Sequence, residues 1–244
     1  MMHFKNNFKL FGEKVIIIDI NKYINNPVSL AWRSELCISI QKEFQNILND
    51  VVFTLSEITI FLKITPEKFH LQQIHKFIIN FYLNKKNIIR TLWEVTACFD
   101  QIYCENILIN NKKKLISHQC YISEFLNCNF EVHHYGFLPG FIYLSGLPSK
   151  LHLSRKATPE KNILPGTISV GESYVGVYPQ NSPGGWNRIG RTNHSFFNKK
   201  STPPCFVLPG DKIKFTSIDI DEYQREMNNI NTKILKSQQF EIVF

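Results

Sequence analysis

Glycine and proline are confined almost entirely to one part of this 244-residue chain. Of its 11 glycines only Gly12 precedes position 136, and of its 11 prolines only Pro27 and Pro66 precede position 139. Because these two residues mark turns and interrupt regular elements, the first part is expected to contain helices with few tight turns. The stretch from Gly136 to Gly210 is expected to consist of short strands joined by specific turns.

The first part alternates between strand and helix patterns. The apolar run Val15–Ile18 predicts a buried strand, and the spacing of apolar residues between positions 30 and 44 predicts a helix with one buried face. Thr65 and Pro66 predict the start of a second helix, with the Thr65 hydroxyl as its cap. Further extended segments flank these helices, so the order predicts a small sandwich with helices on one face of a sheet.

The second part has the patterns of an all-β domain. Thr167–Val170 and Tyr174–Tyr178 read as alternating strands around a Gly-Glu-Ser turn, and a helix beginning at Ser117 is expected before them. Many short strands with regular turns predict a closed barrel or a sandwich. The chain is therefore predicted to be α+β, with residues 1–97 forming a small α/β sandwich domain and residues 98–244 forming the β domain.

Composition excludes several classes of protein. Apolar residues make up 43% of the chain, which is enough for a core. The net charge of +8 raises the question of nucleic acid, but the lysines are dispersed. Their densest run, Lys112 to Lys114, is typical of a solvated turn, so no nucleic-acid partner is expected. No stretch approaches the roughly 18 apolar residues that a membrane span requires, and no membrane partner is expected.

The cysteines and the beginning of the chain indicate the compartment. None of the six cysteines forms a CxxC pair, so neither a zinc cluster nor a redox motif is expected. The first residues contain no apolar signal region, which favours reduced thiols and a cytoplasmic location. His133 and His134 are adjacent, and on a regular strand they would point to opposite faces. No metal site is expected.

The usual enzyme motifs are absent from the sequence. It contains no GxxxxGK[ST] loop for ATP, no GxSxG nucleophile elbow and no HExxH metal motif. The informative stretch is instead residues 136–192, where Gly184 and Gly185 leave backbone N–H groups uncovered by side chains, as an oxyanion site requires. Arg191 follows six residues after Gly185, and its fork suits a carboxylate or a phosphate. Trp186 is expected to wall such a site or to fill the core.

Four segments of this part resemble one family. They are GFLPGFIYL at 136–144, SRKATPE at 154–160, VYPQNSPGGWNRIGRT at 177–192 and PGDKIKF at 209–215. Their order and spacing resemble those of the family of KipI and the B-type subunit of 5-oxoprolinase (PxpB), also called the allophanate hydrolase subunit 1 domain. Weaker similarities at Phe11-Gly12-Glu13 and at Cys98-Phe99-Asp100 extend the resemblance over nearly the whole chain.

The resemblance implies a fold and a function. The fold is a small α+β domain followed by a cyclophilin-like β-barrel. The function is that of the B-type subunit in an ATP-dependent 5-oxoprolinase, which converts 5-oxoproline to glutamate with a C-type (PxpC/KipG-like) and an A-type (PxpA-like) subunit. Such a chain is not expected to be active alone, and ATP is expected to be used by the complex. The alternatives are a KipI-type inhibitor that binds a histidine kinase, and subunit 1 of an enzyme similar to allophanate hydrolase.

The segments that carry the resemblance also supply the expected site residues. Arg191, Gly184 and Gly185 are the expected catalytic groups. The expected substrate-binding residues are Phe137, Tyr143, Arg155, Lys156, Tyr178, Ser182, Trp186 and Thr192.

This chain departs from the family pattern at several of its positions. Phe125 stands where the family often has His, Lys156 and Glu160 replace arginines, and Tyr174 with Val175 replaces Gln-Thr. Phe125 cannot transfer a proton, and Lys156 cannot reproduce the bidentate geometry of arginine.

Overall fold

The computed structural model describes residues 8–24, 28–54, 56–84, 86–104, 117–228 and 235–242. The expected turn at Lys112 to Lys114 lies outside these ranges. The chain divides into two compact units, residues 1–89 with 241–244, and residues 90–240. This division falls before the sequence-based boundary after residue 97, because residues 90–97 belong to a strand of the second unit's sheet.

The first unit is a two-layer sandwich. Its elements are β1 (Phe8–Phe11), β2 (Val15–Asp19), α1 (Ile20–Ile24), α2 (Leu30–Glu43), β3 (Leu48–Phe53), β4 (Glu57–Leu62) and α3 (Lys68–Leu83). The strands form an antiparallel sheet in the order β1-β2-β4-β3. Alternate residues of β2 and β4 are buried with the apolar faces of α2 and α3 in one core. The predicted strand at Val15 and the predicted helix after residue 30 are both confirmed.

Helix α3 begins slightly later than the sequence indicated. Thr65 and Pro66 precede the helix, and Glu67 is its N-cap residue. The backbone N–H of Glu67 donates to Nδ1 of His70 at 3.1 Å, so a side chain three residues on satisfies the cap. Capping by the Thr65 hydroxyl was therefore wrong, because the first helical turn starts at Lys68 and Thr65 is too far from its N–H groups.

The second unit is built around a closed barrel. Its elements are β5 (Ile88–Cys98), α4 (His118–Leu126), β6 (Phe130–Tyr135), β7 (Ile142–Ser145), β8 (Glu160–Ile163), β9 (Thr167–Gly171), β10 (Tyr174–Val177), β11 (Ser182–Gly184), β12 (Asn187–Arg191), β13 (Lys212–Ile218), α5 (Ile220–Asn228) and β14 (Lys236–Ile242). The sheet order is β12-β9-β10-β7-β6-β13-β5-β14, and β12 also pairs with β5, which closes seven strands into a barrel. The predicted α+β class, a small sandwich domain followed by a β-barrel, is confirmed.

The barrel interior is aromatic at the end that α4 covers. Ser117 caps α4, its Oγ accepting from the N–H of Cys120 at 3.2 Å, so the predicted start of this helix is confirmed. Phe125 on α4 is fully buried, with its ring 4.8 Å from that of Phe130 and 5.6 Å from that of Phe215. The residue that replaces the family's histidine is therefore a core residue of this chain.

Five strands of the barrel present one row of outward-facing residues. The pairing registers align His134 with Tyr143, Tyr143 with Gly176, Gly176 with Ser169, and Ser169 with Arg188. The neighbours of Tyr143, Gly176 and Ser169 along their strands point inward and form the core, so this row belongs to the outer surface. The short β8–β11 hairpin forms a separate two-stranded sheet. None of the helices in the described ranges has the length and apolar character needed to cross a lipid bilayer.

Candidate functional site

An aromatic cluster lies on the outer face of the barrel. Phe141, Tyr178 and Trp186 form a buried group with Ile163, and Tyr143 and Tyr174 pack against it. The rings meet edge to face: Phe141 and Tyr178 at 5.1 Å and 90°, and Tyr143 and Trp186 at 5.5 Å and 80°. Edge-to-face contacts favour definite ring orientations, so the rings form a surface of defined geometry. We call these residues, together with Phe137, the aromatic face.

Glycine allows the aromatic face to lie directly on the sheet. A Cβ at Gly176 would stand 2.4 Å from Cζ of Phe141 and 2.9 Å from Cζ3 of Trp186, which is closer than atoms pack. Trp186 is 6% exposed and packs with Phe141, Ile163 and Tyr178 in a small core outside the barrel interior. Its expected role as the wall of a ligand site stays a prediction. Ser169, the neighbour of Gly176 in the outward row, is buried, and its Oγ has no partner within the described residues.

Close packing requires glycine at position 184 of the Gly184-Gly185 pair, whereas a Cβ at Gly185 would be 3.8 Å from its nearest neighbours. A Cβ at Gly184 would stand 2.2 Å from the Tyr178 hydroxyl oxygen, so any larger residue would displace that ring. The carbonyl oxygen of Gly185 accepts from the N–H of Lys156 at 2.8 Å. Ser182, at the start of the same strand, is buried, with no partner for its Oγ in the described part of the chain. Packing accounts for the glycine at 184, and oxyanion binding by this pair stays a prediction.

Phe137 is the exposed edge of the aromatic face. Its side chain is 59% exposed, and its backbone φ of 63° lies in the left-handed region that favours glycine. Its ring meets Phe141 edge to face at 5.6 Å. Backbone strain of this kind is concentrated at functional positions, and here it places an apolar ring towards solvent.

The strain at Phe137 leads to a testable difference between two variants. Phe137→Gly and Phe137→Ala both remove the ring, but only alanine retains the penalty for a positive φ. The glycine variant is therefore expected to be more stable by about 1 kcal/mol. Urea unfolding of the two purified proteins would measure this difference. An alanine variant at least as stable as the glycine variant would contradict the assignment of strain.

Two histidines border the aromatic face, and their placement corrects the sequence-based expectation. The register of β6 against β7 shifts between Val132 and His134, which marks a β-bulge. A bulge breaks the alternation of side chains. His133 and His134 consequently lie on the same side, with their Nδ1 atoms 2.9 Å apart, and were wrongly placed on opposite faces. His134 also stacks on Tyr143, with ring centroids 4.3 Å apart.

Burial gives His134 a distinctive pH dependence. It lowers the pKa of His134 below the ordinary 6.5, so the folded state resists a proton that the unfolded chain accepts. The free energy of unfolding is expected to fall as the pH drops from about 6.5 towards the lower pKa of the folded state. His134→Phe retains a ring against Tyr143, and it should remove the part of the acid-induced loss of stability that comes from His134. Denaturant unfolding at neutral pH and at about pH 5 measures this contribution. If the free energy of unfolding of the variant depends on pH as strongly as that of the unchanged chain, the assignment to His134 is contradicted.

Charged side chains lie beside the aromatic face. The Cζ of Arg155 lies 5.8 Å from the centroid of the Trp186 ring, within the range of a cation–π contact. Lys156 forms an ion pair with Glu160, and Nε of Arg188 donates to the same carboxylate at 3.3 Å. Two departures from the family pattern, Lys156 and Glu160, thus contact each other, and Glu160 also contacts a second cation.

Arg191 and Thr192 lie at the end of β12, apart from the aromatic rings. Arg191 donates from Nε to the carbonyl oxygen of Pro165 at 3.0 Å, and its Cζ lies 5.8 Å from the Tyr103 ring. Thr192 is buried and donates from Oγ1 to the carbonyl oxygen of Thr96 at 2.7 Å, so it fastens β12 to β5. The sequence-predicted residues therefore fall into two neighbouring places, the aromatic face and the Arg191 region.

Sequence reasoning missed several residues of this surface. Arg188 occupies a position where the family motif specifies no residue type, and Tyr103 lies outside the matching segments. His134 was considered only as a metal ligand, and within the described residues no group of three or more metal-ligating side chains occurs. The cross-strand register brings these residues together, and no spacing in the sequence reports that register.

The fold defines a class of protein. The structure is similar to that of the Kluyveromyces lactis urea carboxylase, with a TM-score of 0.71 and 13% identity, covering 97% of this chain and 24% of that protein. It is also similar to a conserved uncharacterized protein from Pyrococcus horikoshii, with a TM-score of 0.51 and 24% identity, covering 88% of this chain and 99% of that one. At these identities the likeness establishes a shared fold.

The family follows from the sequence comparison. The model of the carboxyltransferase domain, subdomain C and D, matches residues 6–207, and the chain belongs to this family. The B-type subunit of 5-oxoprolinase from Haemophilus influenzae is 42% identical over 86 residues, which is 35% of this chain and 40% of that protein. The corresponding 5-oxoprolinase subunit from Bacillus subtilis is 30% identical over 142 residues, 57% and 59% of the two chains.

These matches confirm the resemblance to the B-type subunits of 5-oxoprolinase that the motifs indicated. A third relative, the same subunit from Escherichia coli O157:H7, is 42% identical over 80 residues, 33% of this chain and 37% of that protein. The chain thus matches between 37% and 59% of the length of these relatives.

Proposed function

We propose that this chain is the B-type subunit of an ATP-dependent 5-oxoprolinase, which hydrolyses 5-oxoproline to glutamate together with a C-type and an A-type subunit. The observation that carries the proposal is the identity of 30–42% with three proteins named as B-type subunits of 5-oxoprolinase. Membership of the carboxyltransferase C and D family over residues 6–207 supports it. The chain is expected to contribute to the site of a complex and to be inactive alone.

The chemistry requires stabilisation of negative charge. Opening the lactam breaks its carbonyl carbon–nitrogen bond, adds water across it and places negative charge on the carbonyl oxygen as the carbon becomes tetrahedral. ATP would supply the phosphoryl group that activates this poor electrophile, and it is expected to bind elsewhere in the complex. Cationic and N–H donors aimed at the developing charge are the contribution proposed for this chain.

The proposed donors are those of the Arg191 region and the hairpin beside it. Arg191 is oriented by Pro165 and Tyr103, and its fork suits an oxygen pair. The backbone of Gly184 and Gly185 would donate to the oxyanion. The proposed substrate-binding residues are Arg155, Lys156, Phe137, Tyr143, Tyr178, Ser182, Trp186 and Thr192.

Reconstitution tests the proposal directly. The chain is purified with its candidate A-type and C-type partners, and glutamate release from 5-oxoproline is measured with and without ATP and with and without this chain. Activity that requires both ATP and this chain is expected. A stable complex without activity would mean that another amide is the substrate. Failure to form any complex would overturn the subunit assignment.

The alternatives receive less support. The comparisons do not favour a KipI-type inhibitor, since all three relatives are named as oxoprolinase subunits. Tight binding to a histidine kinase dimerisation domain, with no activity in any complex, would favour the inhibitor over the oxoprolinase subunit. An enzyme similar to allophanate hydrolase would release ammonia when the same complex is supplied with allophanate. We place the complex in the cytoplasm, which agrees with six cysteines that, in the described part of the chain, form no disulfide.

A further inference from the structure

Two arginines of β12 line one pocket although their spacing should separate them. Residues three apart on a regular strand point to opposite faces. The register of β12 against β9 shifts between Arg188 and Gly190, however, and this bulge turns the strand between the two side chains. Arg188 and Arg191 consequently line the same pocket of about 300 Å³.

The rest of the pocket suits a small polar anion. The other polar residues that line it are Tyr103, Asn162 and Thr167, and the apolar ones are Ile102, Ile163 and Leu164. No acidic residue lines it within the described part of the chain. Burial raises the pKa of Tyr103 above its ordinary value of 10, so its phenol remains a hydrogen-bond donor at neutral pH.

Both guanidinium groups are oriented by contacts within the chain. Nε of Arg188 donates to Glu160 at 3.3 Å, and Nε of Arg191 donates to the carbonyl oxygen of Pro165 at 3.0 Å. Each bond restrains the plane of its guanidinium group and so lowers the conformational entropy that an incoming ligand must remove. An oxyanion entering the pocket would therefore meet two cationic groups whose orientation is already defined.

The local charge is positive despite the carboxylate. Glu160 is shared between Lys156 and Arg188, and Arg191 has the carbonyl of Pro165 for its Nε partner. Lys156, Arg188 and Arg191 supply positive charge beside the pocket, against the carboxylate of Glu160 and that of Asp100, whose charge acts on Tyr103. Coulomb attraction of an anion is stronger there than at a freely solvated surface, because the pocket walls reduce the effective dielectric.

We propose that this pocket binds a small oxyanion, a carboxylate or a phosphate, between the forks of Arg188 and Arg191. The choice of ligands rests on the proposed function, since 5-oxoproline carries a carboxylate and ATP turnover releases phosphate. Arg188 is thereby assigned as a ligand-binding residue that the family motif does not specify. Because Nε of Arg191 donates to Pro165, its two Nη groups would divide the two roles. One would hold the carboxylate of 5-oxoproline together with Arg188, and the other would face the carbonyl oxygen of the lactam at the mouth of the pocket.

The test follows the arginine Nε–H resonances of the whole chain by NMR. Three probes are added at millimolar concentration: 5-oxoproline, inorganic phosphate, and 2-pyrrolidinone, which is the same lactam without the carboxylate. Saturable shifts of the Arg188 and Arg191 signals are expected with 5-oxoproline or phosphate and not with 2-pyrrolidinone. Comparison of the first two probes identifies whether the site prefers a carboxylate or a phosphate.

Two arginine variants and a matched control complete the experiment. Arg188→Met is expected to weaken binding of the preferred anion at least tenfold, about 1.4 kcal/mol, and Arg188→Lys to restore part of it. Arg225→Met, which removes an exposed arginine of α5 in the same unit, should leave binding unchanged.

The outcomes distinguish a failure of the oxyanion site from a failure of the proposed oxoprolinase function. Absence of shifts with both anions, or equal binding of 2-pyrrolidinone and 5-oxoproline, would overturn the oxyanion site even if the reconstituted complex is active. Anion binding that depends on Arg188 in a chain whose complex lacks oxoprolinase activity would retain the site and reject the oxoprolinase assignment.

Discussion

Replacing Arg191 with alanine is expected to lower the turnover of the reconstituted complex by about two to three orders of magnitude. Under the proposed function, the substitution removes a preorganised cation from the place where negative charge develops on the carbonyl oxygen. The contacts that Arg191 makes within the chain include a hydrogen bond to Pro165 and a ring contact with Tyr103. Their loss should cost about 1 kcal/mol of stability, which a folded barrel tolerates.

The measurement is glutamate release per assembled complex, with the fold checked by circular dichroism and complex formation checked by gel filtration. Arg191→Lys keeps the charge and loses the fork, so partial activity is expected. Arg225→Met is the matched control. Turnover near that of the unchanged chain in Arg191→Ala would mean that Arg191 serves only to hold Pro165 and Tyr103.

Restoring the family's histidine at position 125 is expected to destabilise this chain strongly. Phe125 is fully buried among Phe99, Phe130 and Phe215, and these rings offer an imidazole no hydrogen-bond partner. Loss of aromatic packing together with an unpaired polar group should cost about 3–5 kcal/mol. Thermal or urea unfolding of Phe125→His measures the change, and no gain in catalytic activity is expected.

The pH dependence of Phe125→His provides a second readout. A histidine buried without a partner resists protonation, so its pKa in the folded state falls below that of the unfolded chain. Stability of the variant should therefore decrease further as the pH drops below about 6.5. Phe125→Leu, which stays apolar, should lose less stability and show no added pH dependence. A stable, more active Phe125→His protein would show that the position faces a reaction site.

Local patterns predicted much of the fold. Helix α2, the cap at Ser117 and the strands of the first sheet follow from apolar spacing and from single hydroxyl residues, which act within a few positions. The start of α3 was missed by a few residues, because Glu67 with His70 competes successfully with Thr65 as a cap. Which of two nearby residues caps a helix depends on side-chain geometry, which the composition of the segment does not specify.

The motif segments indicated the candidate site, and the sheet register determined which residues lie together there. Tyr178 packs on Gly184, which the matching segments contain, whereas Trp186 packs on Gly171 and Gly176, which lie outside them. His133 and His134 come together because His133 lies in the bulge between Val132 and His134. Arg188 and Arg191 come together because a bulge lies between Arg188 and Gly190. A bulge reverses the side-chain alternation on which strand patterns rely.

The sequence by itself determined the α+β class, the barrel in the second part and the family, because periodicity and motif spacing are local properties of the chain. The tertiary structure alone decided that Phe125 is a core residue, that Glu160 joins Lys156 to Arg188, and that two arginines share a pocket. These contacts join residues across strands or from opposite sides of a bulge. Their formation depends on strand register and barrel closure, which are set by the packing of the whole unit.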